Sequence, residues 1–165
     1  MAPHEIIGRM NPEVFSQIFT YLFEKEKAMY KATIDSVAKQ RNLRPVFIER
    51  KPRNERFTWL QGSLSRRGSD ALAAHLLQIW LVGAHSKLLC DFLDALGITH
   101  DENGTVDNLP APPAREPLAA AIETLLAKYD PAVVVVYLHT FQALDDGGGW
   151  PTLAELLESD SRLSL

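Results

Sequence analysis

The stretch from Gly97 to Pro110, GITHDENGTVDNLP, holds the residue types of a calcium loop. Set on a twelve-residue EF-hand frame with Gly104 at the sixth position, Asp101, Asn103, Val106 and Asp107 fall on acceptable positions. The ends of the frame do not fit. Thr99 stands where the first carboxylate is needed, and Pro110 stands where a bidentate glutamate belongs. Asn103-Gly104 is also the preferred pair for a type I′ hairpin turn, because both residues tolerate positive φ. The expectation is therefore a small β-hairpin over about 98–109, with His100 opposite Asp107, and no metal.

Histidines offer a second route to metal chemistry. His75 and His85 lie on one apolar stretch, His139 on another and His4 near the start, with Asp91 and Glu26 as available carboxylates. Neither Glu-x-x-His nor His-x-x-x-His occurs, so the spacing that sets two ligands on one helical face is missing. Cys90 is the single cysteine, which rules out an intramolecular disulfide and a multi-thiolate zinc site. No Gly-x-Ser-x-Gly, Walker or dinucleotide-binding glycine pattern is present, so no residue is assigned a catalytic role and no cofactor is expected.

The third signal is charge. Residues 1–90 carry 14 Lys and Arg against 8 Asp and Glu, whereas residues 91–165 carry 3 against 13, within a chain whose net charge is −4. Eight of the cations lie between Arg41 and Arg67, interleaved with Phe47, Phe57 and Trp59. Arg50, Lys51, Arg53, Arg56 and Trp59 together have the composition of a phosphate-contacting and base-stacking surface. The competing reading is a solvated connector that docks on the acidic half of the chain.

These groups are positioned by what reads as an all-α fold, a single domain over 1–165 of five or six helices. Asn11 caps a long first helix that Pro12 and Glu13 favour and that runs to about Asn42. At about 1.5 Å per residue it would span roughly 45 Å, long for so small a domain, which leaves two alternatives, a kink within it or packing of part of it on a second copy. Phe15, Phe19 and Phe23 are the expected contacts of such a homodimer. Glu26 falls near the centre of the same apolar stripe.

Segment 43–53, with two prolines, reads as an extended basic connector, followed by a short helix from Asn54. Residues 70–96 read as one buried central helix, open to a bend near Gly83, whose apolar stripe changes sides near "VGAHSK" and which Gly97 ends. Residues 108–114 form a proline-rich linker to a helix over 115–128. Residues 131–144 contain four successive valines, which suit a buried strand, but Asp130-Pro131 is a cap and a first-turn proline, so helix is preferred. Residues 145–149 read as a glycine-rich hinge, and Trp150 as the anchor of a short last helix begun by the capping box at Thr152. Paired helices leave a HEAT-like arrangement open.

No apolar run reaches the roughly 18 residues of a membrane span, so the expected setting is the cytoplasm. The functional expectation is a non-catalytic protein-interaction or self-assembly module, with a nucleic-acid-associated protein as the alternative. A metal- or small-ligand-binding helical bundle is the third reading.

Overall fold

A computed structural model describes residues 1–144 and 149–165. The predicted hinge at 145–149 lies outside the described residues except for Gly149. The described residues form ten α-helices and no strand. They are α1 (Pro3–Arg9), α2 (Pro12–Lys25), α3 (Lys27–Gln40), α4 (Pro45–Glu49), α5 (Arg53–Leu64), α6 (Asp70–Ala84), α7 (Ser86–Ala95), α8 (Arg115–Lys128), α9 (Pro131–Leu144) and α10 (Pro151–Ser159). The all-α expectation holds, and the count of five or six helices is too low because three predicted segments are cut or reshaped and because Pro3–Arg9, with no helix expected from the sequence, forms one.

The first cut is at Glu26. Its backbone leaves the helical region, at φ −128° and ψ 54°, and α2 and α3 on either side of it are in contact. A straight helix would bury this carboxylate among phenylalanines, and burying an unpaired charge is costly. Breaking the helix there leaves Glu26 exposed. At the far end Asn42, at φ +53°, ends α3, and the Leu43 amide donates back to the Ala38 carbonyl at 2.8 Å.

The second cut is at His85, φ −129° and ψ 23°, where α6 and α7 diverge by 85°. The bend resolves the change of sides seen in the sequence. Leu76, Leu77, Trp80 and Leu81 are buried before it, and Leu88, Leu89, Phe92 and Leu93 after it. The helix buried on every side is instead α9, with every residue from Val133 to Thr140 enclosed. The third change lies in 43–53, where Pro45 starts the short helix α4 in place of an extended connector.

The described chain divides into two compact units, Ala2–Leu77 and Gln78–Leu165, with the boundary inside α6. In the first, Phe15, Phe19 and Phe57 form an aromatic cluster with centroid separations of 4.8 and 5.6 Å. Gln61 Nε2 donates to the carbonyls of Ile7 and Met10, both at 3.0 Å, and thereby closes the end of α1. His4 Nδ1 and an Asp70 carboxylate oxygen lie 2.6 Å apart.

In the second unit Phe92 packs against Tyr137 at 5.5 Å, Phe141 at 5.6 Å and Trp150 at 6.4 Å. Trp150 is buried, as its sequence position suggests, and its indole donates to the Pro110 carbonyl at 3.0 Å. The last helix starts two residues early, at Pro151 with Trp150 at the N-cap position, and the Thr152 hydroxyl donates to the Pro113 carbonyl in place of capping it. Two carbonyls of the proline-rich linker are thus held by Trp150 and α10. Among the described residues no single helix is long and apolar enough to cross a membrane.

The loop from Gly97 to Pro110 does not form the predicted β-hairpin. A type I′ turn needs positive φ at both central residues, and Gly104 has it at +75° whereas Asn103 does not. The turn is closed by two backbone bonds, from the Gly104 amide to the Asp101 carbonyl at 3.2 Å and from the Asp101 amide to the Thr105 carbonyl at 3.0 Å, and by a side chain. The Asp101 carboxylate accepts from the Asn103 amide at 2.9 Å, the Thr105 amide at 2.8 Å and the Thr105 hydroxyl at 2.7 Å. Those bonds to the ionised form hold its carboxyl below the usual carboxylate range. His100 meets Asp94 at 2.9 Å rather than Asp107.

Candidate interaction surface

The division into units coincides with a division of charge. Residues 2–77 carry 13 Lys and Arg against 8 Asp and Glu, and residues 78–165 carry 4 against 13. Within the described residues, none of the eight cations between Arg41 and Arg67 lies in an ion pair; the salt bridges involve His4, His100, Arg115, Lys128 and Arg162.

Its members differ in what they do. Arg56 reaches back across the first unit: Nη1 donates to the Tyr30 hydroxyl at 3.0 Å, and Nη2 donates to the carbonyls of Glu49 and Lys51 at 2.5 and 3.0 Å. Its Nε is buried with no partner among the described residues. Arg53 donates to the Thr20 hydroxyl at 2.6 Å, and its guanidinium lies 5.4 Å from the Phe57 ring centre. Trp59 is half-buried, with Arg41 and Lys51 at 5.7 and 5.9 Å from its ring. Of the five residues read as a nucleic-acid surface, Arg50 alone is exposed without a side-chain polar or ring contact among the described residues.

A stronger surface feature lies in α4, which charge and motif patterns do not mark. This five-residue helix turns Ile48 inward, where it is fully buried, and leaves Phe47 56 %, Leu43 41 % and Val46 37 % exposed. Arg44 and Arg50, both exposed, flank them. Three large apolar side chains within five residues of the surface form a local concentration that scattered surface apolar residues do not produce. The signal is present in "LRPVFIER", since a one-turn helix with a single inward residue must turn its other apolar residues outward.

The three phenylalanines expected at a dimer contact are separated by the fold. Phe15 and Phe19 are 1 % and 0 % exposed and belong to the core of the first unit, whereas Phe23 is 54 % exposed and packs edge-on against Tyr30 at 5.4 Å. Elsewhere, Asp91 accepts hydrogen bonds from Lys128 and, at 2.5 Å, from the Tyr129 hydroxyl, and these hold its carboxyl below the usual range. Among the described residues no three His, Cys, Asp or Glu side chains are grouped to hold a metal ion. His85, half-buried and edge-on to Trp80 at 4.6 Å, has its pKa lowered by burial. Comparison of the chain with protein-family models, with curated proteins and with solved structures gives no match.

Proposed function

We propose that this chain is a helical protein-binding module that docks an acidic, partly apolar protein surface through α4 and its flanks. The observation that carries the reading is the exposure of Leu43, Val46 and Phe47 between Arg44 and Arg50. Apolar side chains supply contact area, and cations without carboxylate partners supply steering and selectivity for an acidic surface. Phe47 is the central anchor, since a large aromatic side chain ringed by polar groups is the common form of an interface hot spot. A second copy of the chain is one source of such a surface, because residues 78–165 are strongly acidic.

A nucleic-acid partner is the second reading, favoured by the eight cations without ion pairs among the described residues. It is weakened by the engagement of Arg53, Arg56 and Trp59 within the first unit.

Affinity capture from cells with the wild type, Phe47→Glu and Arg44→Glu tests the proposal, each with and without nuclease. Proteins recovered by the wild type, lost with both variants and indifferent to nuclease are the expected result. Identical recovery by all three proteins would overturn it, and recovery abolished by nuclease would replace it with the nucleic-acid reading. Light scattering at low and high salt separates a second copy from a different partner.

A further inference from the structure

The second unit contains a cavity of about 490 Å³ between α6, α7, α9 and the 104–109 loop. That is within the roughly 300–1,000 Å³ range of small-molecule sites. Its walls mix aliphatic and aromatic side chains, Leu81, Leu93, Val106 and Phe141 among them, with polar ones such as Gln78 and Asn108. Gly104 brings the loop close over α7, since a Cβ there would fall 2.5 Å from the Leu89 Cβ and 2.8 Å from the Cys90 amide nitrogen.

One polar group in this wall has no structural employment. Tyr137 is 3 % exposed, its ring is fixed edge-on against Phe92, and it lines the cavity. Its hydroxyl has no hydrogen-bond partner among the described residues, and Tyr137 is one of the residues that line the cavity. A buried tyrosine hydroxyl ordinarily finds a partner, because leaving one unsatisfied is unfavourable. The neighbouring Thr140 hydroxyl does not supply a donor, since it already donates to the Val136 carbonyl at 2.7 Å.

The lining also carries a charge preference. Asp107 is its only ionisable acid among the described residues, and no lysine, arginine or histidine contributes to it. An anionic ligand would enter this space beside a carboxylate with no cation to receive it.

We infer that this cavity binds an uncharged, mainly apolar small molecule that presents one oxygen to the Tyr137 hydroxyl. The site lies wholly within the second unit and is independent of the α4 surface.

The test is a matched set of probes with one apolar body: 4-phenylbutan-1-ol, butylbenzene and 4-phenylbutyrate, titrated against the full chain and followed by methyl NMR shifts of Leu93 and Val106. The expected result is saturable binding of the alcohol, with the carboxylate at least tenfold weaker. Tyr137→Phe keeps the ring and should weaken the alcohol by roughly three- to tenfold, as loss of one hydrogen bond does, while leaving butylbenzene unchanged. Val106→Trp, on the loop, should block all three, with folding checked by circular dichroism. No saturable binding of the alcohol to the wild type would overturn the inference. So would equal affinity for the carboxylate, or alcohol binding indifferent to Tyr137→Phe. If Val106→Trp is folded and binds normally, the probe sits elsewhere and the inference fails.

Discussion

Arg56 on α5 donates to the hydroxyl of Tyr30 on α3 at 3.0 Å, while its other terminal nitrogen holds the carbonyls of Glu49 and Lys51. One guanidinium therefore joins α3, the end of α4 and α5. Arg56→Met keeps the aliphatic bulk but removes three charge-assisted bonds, and should cost about 2–3 kcal/mol in urea denaturation. Tyr30→Phe should cost about 1 kcal/mol. An Arg56→Met protein as stable as the wild type would mean that α4 is held by Ile48 alone.

The three phenylalanines of α2 should separate cleanly by stability. Phe15→Ala and Phe19→Ala each empty a fully buried site and should cost about 3–5 kcal/mol. Phe23→Ala, at a residue 54 % exposed, should cost less than about 1 kcal/mol. Thermal melts of the three variants side by side would show whether the ranking holds.

Two glycines make opposite predictions. Gly104 has φ +75° and no room for a Cβ, so Gly104→Ala should cost at least about 1–2 kcal/mol from the left-handed backbone alone. Gly62 lies within α5, and a Cβ added there would meet nothing within 4 Å, so Gly62→Ala should stabilise by about 0.5–1 kcal/mol. Urea midpoints moving in opposite directions are the expected outcome.

His100 predicts a pH dependence of defined sign. Its Nδ1 donates to the Asp101 carbonyl at 2.6 Å and its Nε2 meets Asp94 at 2.9 Å, which requires the doubly protonated ring and raises its pKa. A raised folded value means that the contribution is fully present below the unfolded histidine value of 6.5 and is lost as pH rises through the higher folded value. The difference in urea midpoint between wild type and His100→Gln should therefore be largest in mild acid and vanish in mild alkali. A difference independent of pH would contradict this.

The elements that are plain in the sequence are those where local and global demands agree. Asn11 with Pro12 does start α2, and Asn11 accepts from the Glu13 amide at 2.8 Å. Gly97 at φ +68° does end α7, with the Ile98 amide returning to the Leu93 carbonyl at 2.9 Å. The Asp130-Pro131 signal outweighs four valines, as it should where a helix is buried on every side.

Breaks inside amphipathic runs are harder to read. Glu26 has no proline or glycine beside it, whereas Gly83, two residues before His85, marks the second bend to within a turn, and the chain bends because a straight helix would misplace a carboxylate in one case and an apolar stripe in the other. Both conflicts are visible as wheel anomalies, but the remedy depends on which neighbour is present to pack against. The role of Arg56 is hidden for the same reason. Charge counting treats every arginine alike, and only the fold distinguishes one that holds carbonyls from one that faces solvent.

The unit boundary inside α6 bears on how the protein behaves on a charged resin. A chain of net charge −4 is ordinarily treated as an anion, but here one unit carries +5 and the other −9. Adsorption to a cation exchanger and to an anion exchanger would each engage a different stretch of the same molecule. Elution position then reports which unit meets the resin, and a mutation confined to α4 should move the cation-exchange peak while leaving the anion-exchange peak in place.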